Sequence, residues 1–278
     1  MRVGISLTSN HADTTDPREG ARRMVERAAA ARRAGLASLF IGDRHATSAP
    51  YYQNTPTLGR LLAEWGAAPA GCLFLLPLWP PVLVAEQVGT LAAIAQGPFV
   101  MQCGLGDGQA QFAAMGANVR TRPSAFEEAL DIVRRLLAGE TVSSSRRFRV
   151  DKASIALRPA EPVAVWIGAS AQPAIDRAAR LAEGWIASPS LTREAAGAQA
   201  EFYRARCAAH GRSTGAVVLR RDVYVGQSSA EARTVLQKAL SRGYRGIPAE
   251  ALIAGAIDEV AEEFRRLAEF GYTDILVR

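Results

Sequence analysis

The run Val163-Ala164-Val165-Trp166-Ile167-Gly168-Ala169-Ser170-Ala171-Gln172-Pro173 holds the fold in miniature. It begins as an apolar strand, passes through small residues, and starts a helix with proline in its first turn. Outward in both directions the same handover repeats, from a short apolar run to an amphipathic stretch of helical spacing. The strand candidates are Val3–Leu7, Ser38–Ile41, Cys72–Leu76, Phe99–Cys103, Val163–Ile167, Trp185–Ala187, Val217–Val225 and Asp274–Val277. Helical runs lie at about residues 18 to 34, 56 to 65, 81 to 95, 123 to 138, 173 to 183, 192 to 209, 228 to 241 and 257 to 270. Parallel strands joined by crossover helices produce this alternation, and eight of them predict an α/β fold, a (β/α)₈ TIM barrel with insertion segments.

Two segments interrupt the pattern. Residues 139–162 carry Ser143-Ser144-Ser145 and then Phe148, Val150, Ile155 and Leu157, which reads as a turn with short extended pieces inserted after the fourth strand. Arg242–Pro248 is rich in glycine and basic residues. Long excursions in a compact domain are often functional, so both are candidate lids, with plain surface loops as the alternative. No helix follows the eighth strand, and packing from elsewhere is expected in its place.

The 278 residues suit one barrel, for which ~250 is typical, and a single domain over residues 1–278 is expected. With 49% hydrophobic and 22% charged residues the chain excludes disorder. The net charge of +6 is carried by scattered arginines; Arg22, Arg23, Arg27, Arg32 and Arg33 share one early helix with Glu19 and Glu26. That is a solvated face, and no nucleic-acid reading motif accompanies it. Cys72, Cys103 and Cys207 form no CxxC pair, so neither a metal site nor a disulfide framework is expected, and a reducing cytoplasm fits. Neither a signal peptide nor an uninterrupted apolar stretch of ~18 residues is seen, so no membrane association is expected.

A barrel places its chemistry at the carboxyl ends of its strands. Ser9, Asn10 and His11 follow the first strand, and Gly42, Asp43, Arg44 and His45, then Tyr51 and Tyr52, follow the second. Pro77, Trp79, Pro80 and Pro81 follow the third; Gln102, Gly104, Gly106 and Gly108 the fourth; Gly168, Ala169 and Ser170 the fifth. Of three histidines, His210 closes a surface helix, while His11 and His45 fall at strand ends. His45, flanked by a carboxylate and a guanidinium, suits proton transfer. His11 is either a pocket residue or a solvated loop residue. Gly104-Leu105-Gly106-Asp107-Gly108 lacks the third glycine of a dinucleotide fingerprint, since Gln109 stands there; it reads as a loop that lets a flat ring or a phosphate approach the backbone. Gly168-Ala169-Ser170-Ala171 ahead of Pro173 is the better anion site, with Ser170 as a simple helix cap the alternative. Arg120 and Arg122 are candidates to add charge to it.

Beyond these residues, the run Leu75-Leu76-Pro77-Leu78-Trp79-Pro80-Pro81-Val82-Leu83-Val84-Ala85-Glu86-Gln87 resembles the luciferase-like flavin monooxygenases. So do Gly97-Pro98-Phe99, Phe126-Glu127-Glu128-Ala129-Leu130, Val165-Trp166-Ile167-Gly168-Ala169-Ser170, Ala182-Glu183-Gly184-Trp185 and the closing Val260–Gly271 stretch. The resemblance implies FMN, or its deazaflavin analogue F-420, at the carboxyl end. Its phosphate would lie near Gly168, Ala169, Ser170 and Ala171, with Cys72, Leu73, Gln102, Gly104 and Arg122 as further cofactor contacts. Leu105 stands where some luciferases carry a phosphate-binding arginine, which shifts that task to the amides around Ser170 and to Arg122. The family's acidic-plus-His pair falls on Asp43 followed by Arg44, with His45 one place later. All three are therefore catalytic candidates, with His11, Tyr51 and Trp79 on the substrate side and Leu73 and Phe74 shielding. A non-proline cis peptide between Cys72 and Leu73 is implied as well.

The activity implied is a monooxygenase using O₂ and reduced FMN, delivered by a separate reductase, on a small organic substrate. An F-420-dependent hydride-transfer enzyme is the alternative within the family, and a catalytically silent flavin-binding protein the alternative outside it. A homodimer is the expected assembly.

Overall fold

A computed structural model describes all residues, 1–278. In chain order its elements are β1 (Arg2–Leu7), α1 (Pro17–Arg33), β2 (Leu39–Ile41), α2 (Asn54–Trp65), β3 (Ala70–Leu75), α3 (Pro81–Ile94), β4 (Phe99–Gly104), α4 (Gln109–Ala114) and α5 (Arg122–Leu137). There follow β5 (Val142–Ser144), β6 (Val150–Ala153), β7 (Ala164–Gly168), α6 (Gln172–Leu181), β8 (Gly184–Ala187), α7 (Arg193–Ala209), β9 (Ala216–Arg221), β10 (Val223–Val225), α8 (Ser229–Leu240), β11 (Ile253–Gly255), α9 (Ile257–Glu269) and β12 (Asp274–Val277). Eight strands run in the hydrogen-bonded order β1-β12-β9-β8-β7-β4-β3-β2, which closes on itself as the expected barrel. The chain groups into two compact units, Leu7–Val165 and Met1–Ser6 with Trp166–Arg278.

In the first unit, α1 starts because the Asp16 carboxylate accepts the Arg18 N–H at 2.8 Å and Pro17 occupies the first helical position. Gly20, Met24, Ala28 and Ala31 then make its buried stripe. β4 is buried along its whole length, as expected for a parallel strand covered on both faces. β3 pairs with it from Ala70 opposite Phe99 to Leu75 opposite Gly104 without a slip. This regular register is the reason the implied cis bond is absent: every peptide bond, Cys72–Leu73 included, is trans, and no bulge supports a ligand there. β3 ends at Leu75, and Leu76–Leu78 turn as a single 3₁₀ turn towards α3.

The 139–162 excursion contains the antiparallel hairpin β5–β6. Its position is set by Glu128 of α5, 7% exposed, whose carboxylate accepts from Ser144 Oγ at 2.6 Å and from the Arg147 and Phe148 N–H groups at 2.8 and 3.3 Å. A buried carboxylate with three donors anchors this segment, which is therefore an appendage of α5 and not a free lid.

The second unit packs around Trp185 of β8, whose Nε1 donates to the Ala169 carbonyl at 2.9 Å and whose ring lies 5.2 Å from Tyr203. His210 ends α7, as expected, and its Nε2 also meets Asp176 at 2.9 Å. The expected strand Val217–Val225 is two strands. β9 stays in the barrel, Asp222 breaks the run, and β10 pairs in parallel with β11 outside it. A buried aspartate that takes its hydrogen bonds from other side chains splits a sequence that is otherwise continuously β-prone. No helix is long and apolar enough to cross a membrane.

Candidate functional site

In the unit Leu7–Val165 the residues after β1, β2, β3 and β4 supply buried polar groups. Asp43 is the hub, its side chain fully buried. Oδ2 accepts the Leu75 N–H at 2.8 Å and the Trp79 indole N–H at 2.8 Å, so one carboxylate oxygen ties the end of β3 to the loop leading into α3. Oδ1 lies 3.2 Å from His45 Nε2, close enough for an ion pair but not aligned as a hydrogen bond. The imidazole meets the Trp79 ring edge-on at 5.4 Å, and the His45 N–H donates to Gln111 Oε1 at 2.9 Å. Asp43, His45 and Trp79 thus come together as expected. Arg44 points elsewhere: it is exposed, and its carbonyl accepts from Gln53 Nε2 at 3.2 Å.

Segment Ser9–His11 lies antiparallel to Pro50–Tyr52 through the Asn10–Tyr51 bridge. His11, 2% exposed, stands edge-on to Tyr52 at 5.6 Å. Burial, and then the charge of Arg27, lowers its pKa, which keeps it neutral. Tyr51 is half-buried, and its hydroxyl lies where a Cβ on residue 42 would come within 2.9 Å, so a larger residue at Gly42 would push the phenol aside. Cys72 is fully buried; burial, followed by the Asp43 charge, pushes its thiol well up and removes it from nucleophilic chemistry. Leu73 packs with Trp79 against Leu75, Leu78 and Phe112, an apolar wall, and its carbonyl accepts from the buried Asn54 amide at 2.6 Å. Gln102 stands opposite Leu73 in the β3–β4 register. Gly104 closes β4, and Arg122 is half-buried at the start of α5.

Ser9 Oγ, His11 Nε2, Asp43 Oδ1, His45 Nε2 and Gln102 Nε2 are buried without a hydrogen-bond partner. Leaving such groups unpaired costs about 1–3 kcal/mol each, so their gathering at strand ends marks a place built for a polar ligand. These groups suit a flavin-type ring: the Gln102 amide is a donor for a ring carbonyl or nitrogen, and the partly buried Leu73 and Trp79, backed by the Leu75, Leu78 and Phe112 core, offer an apolar face.

In the second unit Ala169 is buried, Ser170 is exposed, and Ala171 is the cap residue of α6, so the alternative of Ser170 as cap does not hold. Gly168 ends β7. The Ser170 carbonyl is held by Gln199 Nε2 at 3.1 Å. Helix α6 has no side-chain cap, but Pro173 carries no N–H and the Ala174 N–H donates to the Ala171 carbonyl at 2.9 Å, so of its first turn only the Gln172 N–H is left for an anion.

Sequence reasoning passed over Asn54 and Gln111. Gln111 sits on α4, whose six residues are too few for a periodic signal. Asn54 looked like an ordinary residue before a helix, and only burial reveals its bond to β3.

A family model described as luciferase-like monooxygenase matches residues 1–274. The chain is similar to the F420-dependent glucose-6-phosphate dehydrogenase of Nakamurella multipartita, 30% identical over 187 residues, 62% of this chain and 55% of that protein. The match spans about half the length of that curated relative. Among solved structures, monooxygenase RslO1 from Streptomyces bottropensis superposes with a TM-score of 0.85 at 20% identity, covering 100% of this chain and 92% of that one. The oxygenating constituent of 3,6-diketocamphane monooxygenase from Pseudomonas putida, in complex with FMN, gives 0.83 at 16% identity with 100% and 91% coverage. At those identities the two structures speak for the fold.

Proposed function

Since the chain belongs to the luciferase-like monooxygenase family, we propose that it is an oxidoreductase moving a hydride between a small hydroxyl- or carbonyl-bearing substrate and an F420-type deazaflavin. The buried Asp43–His45 pair carries this reading. With Nε2 facing the Asp43 carboxylate across 3.2 Å, Nδ1 is left to take the hydroxyl proton as the hydride leaves carbon for the deazaflavin. Asp43 then stabilises the imidazolium, while its Oδ2 stays committed to Leu75 and Trp79 and keeps the carboxylate in place. The deazaflavin, when bound, supplies a two-electron acceptor or donor. Gln102 and Arg122 would contact it in the unit Leu7–Val165. The similarity to F420-dependent dehydrogenases supports this choice of cofactor.

A second reading keeps the site and exchanges the cofactor for FMN, reduced by a separate enzyme, with O₂ as co-substrate. The apolar wall of Leu73, Leu75, Leu78 and Phe112 favours it, because oxygen chemistry needs water excluded. Titration of the purified protein with F420 and with FMN, followed by fluorescence, separates the two. F420 binding with alcohol-dependent bleaching of F420 supports hydride transfer. Binding of FMN alone, with substrate-dependent O₂ uptake, replaces it by the second reading, and binding of neither sinks both.

A further inference from the structure

β9 leads into Arg220-Arg221-Asp222, and strand alternation sends these side chains to opposite faces. Arg221 goes one way: it donates to the Pro189 carbonyl at 3.0 Å and lines a cavity of about 540 Å³ with Glu259, Val260 and Glu263 of α9. Arg220 and Asp222 leave from the other face. The Asp222 side chain is 3% exposed; its Oδ2 accepts from the Tyr244 hydroxyl at 2.9 Å and from Arg245 at 2.5 Å. Its Oδ1 has no hydrogen bond, and Arg220 Nη2 stands off at 3.9 Å. Arg220 Nε is buried and unpartnered too.

Asp222 is shared by two guanidiniums: Arg245 is hydrogen-bonded to it, while Arg220 meets it only across 3.9 Å, so the three side chains carry one positive charge in excess. Burial pushes the Arg220 guanidinium down to about 10; the charge of Arg245 and then that of Arg278 add to the fall, and Asp222 opposes it. A partly buried guanidinium whose Nε lacks a partner and whose one carboxylate neighbour is shared with Arg245 is stabilised when a further anion joins it. Arg245 is itself in a left-handed conformation, φ 51°, between Gly243 and Gly246 at 67° and 66°. A non-glycine residue is held there only where its surroundings insist, and the bond to Asp222 does so.

We propose that Arg220, with Arg245 from the Tyr244–Gly246 turn, forms an anion-binding subsite at the carboxyl end of β9 for the carboxylate, sulfonate or phosphate of a small organic substrate. The fork of each guanidinium suits two oxygens of such a group, and Arg245 keeps donors free beyond the one given to Asp222. Naming the anion as the substrate's rests on the oxidoreductase reading; the subsite itself does not. The other source of the same chemistry is a cofactor phosphate.

The test uses the full chain without cofactor and inorganic sulfate as probe, at ionic strength held constant with sodium chloride. Sulfate is expected to raise the melting temperature saturably, by roughly 5 °C at a hundred times its midpoint concentration. Arg220→Gln should abolish the rise, and Arg245→Gln should move its midpoint about tenfold upward. Should Arg220→Gln fail to fold, Arg245→Gln on the exposed turn gives the same decision. A flat response, or one equal in wild type and variants and so an adventitious ion only, overturns the subsite. F420 and FMN titrated into the same variants distinguish the sources. Unchanged cofactor affinity assigns the anion to the substrate, whereas a tenfold loss assigns it to the cofactor and overturns the substrate assignment. If wild type binds neither cofactor, the oxidoreductase reading fails while the sulfate response still decides the subsite.

Discussion

Asp43 and Asp222 are both buried carboxylates just past barrel strands, and they are satisfied by opposite means. Asp43 takes two neutral N–H donors on one oxygen and turns the other to an imidazole. Asp222 takes a phenol and a guanidinium on one oxygen and faces a second guanidinium across 3.9 Å on the other. Neutral donors fix a negative charge without cancelling it, so Asp43 remains able to stabilise a proton on His45. Two cationic partners on one carboxylate leave a positive excess, which is what the proposed anion subsite uses. Charge balance around each carboxylate, more than burial, separates a proton-handling site from a binding site.

The sharpest way to break the comparison is Asp43→Ala, which strands the Leu75 and Trp79 N–H groups. A loss of roughly 2–5 kcal/mol and a melting temperature at least 5 °C lower are expected, with activity gone; calorimetry with wild-type stability in the variant would return Asp43 to an incidental role. His45→Gln should leave the melting temperature within a few degrees but lower kcat/KM by about 10²–10⁴-fold. Steady-state kinetics showing only a raised KM would make His45 a binding group. Glu128→Ala, which touches neither aspartate, serves as a stability control. It should cost about 2 kcal/mol and expose the β5–β6 hairpin to rapid amide exchange while kcat stays close to wild type.

Two smaller effects sharpen it. Ser170→Asp sets a negative charge at the start of α6 and should weaken binding of a phosphate-bearing cofactor roughly fivefold, read by fluorescence titration. His11 has a depressed pKa in the fold, so its contribution to stability is present above the unfolded value near 6.5 and is lost as pH falls below it. Wild type should therefore lose more melting temperature between pH 7 and pH 5 than His11→Gln does; parallel curves would contradict the burial of a neutral ring.

The barrel was legible because its strands are short apolar runs between long amphipathic helices, a pattern local in sequence. Asp43, His45 and Trp79 were legible because a barrel's strand ends are few and chemically distinctive residues stand at them. Arg44 was not separable from His45 by position alone: adjacent residues leave the chain in different directions, and only burial tells which one turns inward. Arg220 and Asp222 were hidden inside what reads as one β-prone run, since the break at Asp222 comes from partners more than twenty residues away. The trans Cys72–Leu73 bond shows the limit of resemblance, because a shared loop sequence after β3 does not transmit the backbone state of the residues before it.

The parallel pair β10–β11 has one more consequence. The Gly226 N–H meets the Gly255 carbonyl at 2.9 Å, so the chain leaves and re-enters the barrel scaffold at a single neck. Residues between these points form a cassette whose length is nearly free to change, because doubling a closed loop costs only about 0.6 kcal/mol. Tyr244 and Arg245 ride on that cassette, whereas Asp43 and His45 do not. Of the proposed anion subsite, Arg245 is carried by the cassette and Arg220 by β9, so exchanging the cassette would alter one guanidinium and leave the other in place.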